Sequence, residues 1–343
     1  MKRHPDNPLL FPKDVKPSNP SFQVLGAFNP GVALYQDQTI LLMRVAENCL
    51  PEEKFVTIPY YNHGEAEVIR VKKNDPNLIF KDTRGFFYKG KDYLSTISHI
   101  RIARSNDGVN FTVDDKPFIS PELDYECFGV EDARIVEIDF TYYINYTGVS
   151  GDGYVTVLAK TTDFISVEKL GIIFPPLNKD VAFFPEKING KYAAIHRPDN
   201  KGFGLPSIWY ATSPDMMNWG YHTCLLRPDG SLSESQKIGG GSSPIKTDKG
   251  WLILYHAKGE NSIYTLKVLL VDFKDPTKIL KKGDLPALKP EKEYERNGFF
   301  QNVVFTNGMV EKSNGELWVY YGACDETICL AITSIKELLD HLK

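Results

Sequence analysis

The segment Gly129-Val130-Glu131-Asp132-Ala133-Arg134-Ile135 sets two adjacent carboxylates and a guanidinium at the mouth of an alternating stretch, 134–138, with a second one at 142–147. An acid at the mouth of a strand is where an enzyme that splits a glycosidic bond keeps its proton donor. Taken alone, the same residues read better as a surface turn closed by a salt bridge. The weighting changes because similar polar groups recur at the same place in a repeating unit.

Those groups are Asn29 and Arg44; Asp82 and Arg84; Glu131, Asp132 and Arg134; Asp180, Glu186, Lys187, His196 and Arg197; Tyr255 and His256; and Asp325. Each has an ordinary alternative. Arg44 reads equally as a strand arginine and Asp325 as a turn cap. His196 and His256 read as inter-sheet histidines, the better reading for His256. As a set they hold few carboxylates and many cations. An inverting glycosidase needs two carboxyl groups, one as acid and one to activate water. A phosphorylase needs only the acid, because phosphate is the nucleophile, and it needs cations to hold that dianion. The set therefore favours phosphorolysis over hydrolysis.

The elements that must position these residues repeat every 50–65 residues or so. A strand ends in a polar turn, a second aromatic-rich strand ends in a polar pair, and a third runs into a Ser/Thr/Asp turn. Second strands are expected at 39–45, 92–98, 142–147, 192–197, 251–256 and 317–322. Turns with hairpin chemistry precede several of them, including Lys89-Gly90-Lys91, Asn189-Gly190-Lys191 and Asn314-Gly315-Glu316. Repeated antiparallel units of this length predict an all-β fold, a single β-propeller domain over 1–343. Six hairpin signals allow six blades, or five with the chain ends sharing one. The last unit lacks an obvious fourth strand, and the first carries an irregular insert from Glu47 to Glu65. Residues 334–343 predict a short C-terminal helix with Ser334 as N-cap.

Composition narrows the function classes. A hydrophobic content of 42% supports a sizeable core, and a net charge of −4 with mixed signs argues against nucleic-acid binding. The 18 Tyr, 20 Phe and 4 Trp suit both sheet packing and sugar stacking. Cys49, Cys127, Cys224, Cys324 and Cys329 are scattered, odd in number and without a CxxC pair. No apolar signal core follows Met1 and no run is long enough to span a membrane, so the expectation is a cytoplasmic protein. No Gly-rich nucleotide loop and no cluster with metal-ligand spacing is visible, and no cofactor is expected.

At these residues the chain resembles glycoside hydrolase family 130, the β-mannoside phosphorylases. The carrying motifs are Ala27-Phe28-Asn29-Pro30-Gly31, Leu41-Leu42-Met43-Arg44-Val45, Gly129-Val130-Glu131-Asp132-Ala133-Arg134, the run Asn178-Lys179-Asp180-Val181-Ala182-Phe183-Phe184-Pro185-Glu186-Lys187-Ile188-Asn189-Gly190-Lys191-Tyr192, and His196-Arg197-Pro198. Ile238-Gly239-Gly240-Gly241, Trp251-Leu252-Ile253-Leu254-Tyr255-His256, Asn302-Val303-Val304-Phe305 and Tyr320-Tyr321-Gly322-Ala323-Cys324-Asp325 complete the series. The layout looks most like the branch acting on β-1,2-linked mannose.

The resemblance implies five blades and inverting phosphorolysis that releases α-mannose 1-phosphate. It implies Asp132 as general acid, its proton passing through the substrate's 3-hydroxyl. Arg44 and Lys187 match phosphate-side residues, with His196 and Arg197 nearby. Asn29, Arg84 and Asp325 match positions that hold mannose, and Glu131, Arg134 and Tyr255 join the expected substrate-binding set. Inorganic phosphate is the co-substrate, a β-mannoside oligosaccharide the other partner, and self-association is left open. Where the family has Asp-Pro-Arg, this chain has Asp82-Thr83-Arg84, and Gln301 replaces the usual Gly before the Asn-Val-Val-Phe run. Two alternatives remain: an inverting β-mannosidase, with Glu260 as candidate base, and a non-catalytic sugar-binding propeller.

Overall fold

A computed structural model describes residues 1–82, 85–199 and 202–342. The fold is all-β, with two short α-helices, Glu293–Arg296 and Ile335–Asp340. Four-stranded antiparallel sheets follow one another along the chain. Sheet one contains Phe22–Tyr35, Gln38–Cys49, Ile97–Ser105 and Thr112–Val113. Sheet two contains Gly129–Ile138, Thr141–Ser150, Gly153–Thr161 and Glu168–Phe174, and sheet three Asn178–Phe183, Tyr192–Pro198, Ile208–Ser213 and Gly220–Leu226. Sheet four contains Lys237–Gly240, Trp251–Lys258, Tyr264–Val271 and Ile279–Lys282, with Ile245–Lys246 also paired to its second strand.

Sheet five closes on the other end of the chain. Val304–Glu311, Glu316–Ala323 and Thr327–Ser334 take their fourth strand from Lys2–Arg3, which pairs with Ala331 and Ile332. That is why no fourth strand is visible in the last sequence unit. Ser334 Oγ accepts the Glu337 amide and caps the terminal helix, as its sequence indicates.

The sixth hairpin signal does not found a sheet of this kind. Between sheet-one strands Gln38–Cys49 and Ile97–Ser105 lie two small sheets, Phe55–Asn62 with Glu65–Lys72, and Leu78–Asp82 with Gly85–Tyr88 and Lys91–Leu94. The Lys89-Gly90 turn, with both residues at positive φ, joins the last two of these strands. The hairpin chemistry was read correctly, but its strands are too short and too exposed to build another core layer.

Each sheet's first strand packs against first strands of other sheets, and these strands are nearly continuously buried. The apolar core lies between consecutive sheets. One cluster joins Ile40, Leu42 and Ile100 to Ile135, Ile144 and Val157, and another joins Phe184, Ile195 and Tyr210 to Trp251, Ile253 and Leu269. Among the described residues no helix is long and apolar enough to cross a membrane.

Candidate active site

The first strands of sheets one, two and three carry the same irregularity. Their ladders slip between Phe28 and Gly31, between Glu131 and Arg134, and between Lys179 and Ala182. Inside each slip sits a residue in the left-handed region: Asn29 (φ 47°), Asp132 (φ 52°) and Asp180 (φ 56°). Asn and Asp tolerate this conformation better than other side-chained residues. Such a bulge re-aims a side chain out of the pleat. Three separate strands thereby turn one polar side chain each toward a common centre.

Asp132 is 5% exposed. Its Oδ1 accepts from Asn29 Nδ2 at 3.1 Å and lies 3.5 Å from Arg44 Nη1. Arg44 Nη2 donates to Glu131 Oε1 at 2.7 Å, so one guanidinium spans both acids. Arg44 also lies over the Phe28 ring at 5.0 Å. Lys179 Nζ stands 3.9 Å from Glu131 Oε2 and over the Tyr154 ring. Gly322 is required beside Asn29, because a Cβ there would stand 2.1 Å from Asn29 Oδ1.

Asp180 is the second focus. Arg197 Nε donates to Asp180 Oδ2 at 2.6 Å, Arg134 Nη2 reaches Oδ1 at 3.4 Å, and His256 Nε2 lies 3.4 Å from Oδ2. Burial alone would raise this carboxyl, but Arg197, His256 and Arg134 hold it well below the usual range. Gly239 permits the approach, since a Cβ there would meet Asp180 Oδ2 at 2.6 Å. Arg134 also donates to the carbonyls of Gly241 (2.7 Å) and Gly240 (2.8 Å), which ties sheet two to sheet four. It is buried and supports the centre from within. Burial, with Arg197 and Lys179 close by, pushes Lys237 down to about 7. Lys179, Arg197 and Lys237 thus gather around Glu131 and Asp180, beside the Arg44 that bridges Glu131 and Asp132.

Asp325 occupies the turn between the second and third strands of sheet five, with φ 53°. Burial pushes its carboxyl up to about 6; Arg44 opposes the shift, and Asp132 and Glu131 add to it. Asn29, Arg44, Glu131, Asp132, Arg134, Arg197 and Asp325 are thus brought together. Arg84 lies outside the described residues.

The structure leaves three of the expected residues elsewhere. Lys187 is exposed in the turn after the first strand of sheet three, its Nζ over the Tyr192 ring at 4.6 Å. Tyr192 and Arg197 stand at opposite ends of one strand, roughly 16 Å apart at about 3.3 Å per residue. The lysine at the centre is Lys179. His196 and Tyr255 are displaced by strand alternation. Phe28 pairs with Arg44, Lys179 with Arg197 and Gly239 with His256, and these second-strand residues face the centre. His196 and Tyr255 are one residue earlier and so lie on the opposite face. Tyr255 donates to Glu234 Oε2 at 3.1 Å inside a hydrophobic cluster. His196 stacks on Phe174 at 4.6 Å and bonds to Asn178 and His222. His256, expected to be structural, is the histidine on Asp180.

Sequence reasoning passed over Lys179, Lys237 and the central place of His256. One signal was available. Lys179-Asp180-Val181 repeats the pattern of Glu131-Asp132-Ala133, a charged residue followed by a bulge aspartate. Glu260, the candidate hydrolytic base, is exposed in the loop segment Glu260–Ser262.

The sequence profile of the β-1,4-mannooligosaccharide phosphorylase family matches residues 69–343. A β-1,2-mannobiose phosphorylase from Listeria innocua is 44% identical over 99% of this chain and 98% of its own length. The structure of a β-1,2-mannobiose phosphorylase from the same species, in complex with β-1,2-mannobiose, superposes with a TM-score of 0.94 at 44% identity, covering 99% of this chain and 98% of that one. A 1,2-β-oligomannan phosphorylase from Thermoanaerobacter is 41% identical over 72% of this chain and 82% of its own.

Proposed function

The chain belongs to glycoside hydrolase family 130 and is a β-mannoside phosphorylase, and we propose that it splits β-1,2-linked manno-oligosaccharides with phosphate, inverting the anomeric carbon. The products are α-mannose 1-phosphate and a sugar shortened by one unit. The β-1,2 linkage is favoured by relatives above 40% identity that carry it in their names. We take the successive sheets as the blades of a closed five-bladed propeller, with the site at the centre of one face. A cytoplasmic location fits the free cysteines.

The observation that carries the reading is the asymmetry of the centre. Asp132 is held by Asn29 and Arg44, while Lys179, Arg197 and Lys237 gather around Glu131 and Asp180. A phosphate oxygen held by those cations attacks the anomeric carbon as its bond to the bridging oxygen breaks. That oxygen receives the proton of Asp132, relayed by the substrate's 3-hydroxyl. Charge-assisted contacts keep the dianion in line, which lowers the entropic barrier to attack. Asn29 and Asp325 hold the mannose unit. Asp180 keeps the cations in register; engaged by two arginines and His256, it is poorly placed to activate water. Glu131 is likewise engaged by Arg44 and Lys179. This disfavours the hydrolytic alternative, which needs a second free carboxylate.

Incubation with β-1,2-mannobiose, with and without phosphate, tests the proposal. The expected result is α-mannose 1-phosphate formed only in the presence of phosphate, its anomer read by NMR. Free mannose released at equal rates in both incubations would refute it.

A further inference from the structure

His196, removed from the centre by its strand register, lines a groove of about 410 Å³ between the last strand of sheet two and sheet three. That volume is within the range of about 300–1,000 Å³ seen for small-molecule sites. Phe174, Trp209 and Trp219 form its apolar walls, and Asn178, His196 and His222 form its polar edge. Among the described residues, none that line it is Asp, Glu, Lys or Arg, and burial pushes the His196 imidazole down to about 3, so it is neutral. Such a lining suits an uncharged ligand better than phosphate.

Hydrogen-bond contacts link the polar edge into one chain. The Asn178 side-chain amide lies against His196 Nδ1, its Nδ2 at 2.9 Å and its Oδ1 at 3.3 Å. His196 Nε2 in turn lies 3.1 Å from Nδ1 of the exposed His222, within hydrogen-bond reach. Two polar side chains, 7% and 3% exposed, thus orient a third that faces solvent beside aromatic walls. Flat apolar surface next to an oriented imidazole matches a pyranose, which has an apolar C–H face and hydroxyls at its edge.

We propose that this groove is a second, non-catalytic binding site for one unit of a β-mannoside oligosaccharide. The inference rests on the β-mannoside reading above for the identity of the sugar. Asn178 and His196 are on the reverse face of the strand pair that carries Lys179 and Arg197. The groove is therefore separate from the reacting atoms.

Calorimetric titration of the full chain with β-1,2-mannotetraose in phosphate-free buffer tests it. Wild type is expected to show two sites. His222→Ala, at an exposed position, and Trp209→Ala should each weaken the second site by about tenfold or more, or ~1.4 kcal/mol. Both variants should keep kcat and KM on β-1,2-mannobiose within about twofold, as a site off the reaction path requires. A single site in wild type, or two sites unaltered in both variants, overturns the second site and leaves the enzymatic reading standing. No binding of the tetrasaccharide together with no mannose 1-phosphate from mannobiose overturns both.

Discussion

Neighbouring positions on the second strands differ in how completely their polar groups are paired. On the face away from the centre, Tyr146, Tyr255 and Tyr321 donate to Glu126, Glu234 and Glu295, carboxylates with no exposed surface. A cation completes each group: Lys169 on Glu126, Lys267 on Glu234 and Arg3 on Glu295. Backbone amides of Glu122 and Glu291 add to the first and third. At the centre, by contrast, Asn29 Oδ1, Arg44 Nε, His256 Nδ1 and Asn307 Oδ1 are buried without a partner among the described residues. Buried polar groups are nearly always paired, and exceptions call for a reason. Here the complete groups lock the loops that precede first strands, and these four incomplete ones lie at the proposed substrate site.

The difference predicts two kinds of mutational phenotype. Asp132→Asn should have the largest effect, lowering turnover by about 10²–10⁴-fold with an unchanged melting temperature. Near-normal turnover would remove Asp132 from the chemistry. Glu234→Gln should do the opposite. It leaves Lys267 buried without its counter-charge, a loss of about 3–5 kcal/mol in unfolding free energy. The folded fraction should keep its KM for mannoside; denaturant unfolding beside steady-state kinetics would reveal the split.

A smaller effect separates Lys179 from Lys187 in the Asn178–Tyr192 run. Charge-assisted contacts to phosphate are worth about 1.5–3 kcal/mol, so Lys179→Ala should raise the apparent KM for phosphate roughly 10–150-fold. Lys187→Ala should leave it unchanged. Equal effects of the two variants would undo the assignment of Lys179 to the centre.

The smallest effect concerns Asp325. Its folded pKa of about 6 is above its ordinary 3.8. The protonated form is therefore favoured by folding, and that contribution is full below about 3.8 and lost as pH rises through 6. Asp325→Asn should match wild type in melting temperature near pH 4 and exceed it by a few degrees at pH 7. A difference that does not vary with pH would place Asp325 in a wetter, less crowded site.

Much of the fold was legible because short repeats and turn chemistry are local. Asn189 (φ 51°) and Gly190 (φ 78°) make the turn their sequence announces, and Ser334 caps its helix. The surplus hairpin at Lys89-Gly90 was misassigned because turn chemistry reports a reversal of the chain and not the depth of the layer it joins. In the site, Asp132, Asn29 and Arg44 were found because each belongs to a local motif. Lys187 was preferred over Lys179 within a single run because charge alone does not say which end of a strand faces the centre.

The sequence by itself determined the all-β class and the mixture of few carboxylates and many cations at the centre, since residue types and repeat spacing carry that information. Tertiary structure decided which face each residue occupies. A one-residue bulge at Asn29, Asp132 and Asp180 resets the two-residue alternation of the ladder. It brings Arg197 and His256 onto Asp180 and sends His196 and Tyr255 the other way. Closing the last sheet with Lys2–Arg3 required two ends of the chain to meet, and no local pattern records a contact across more than 300 residues.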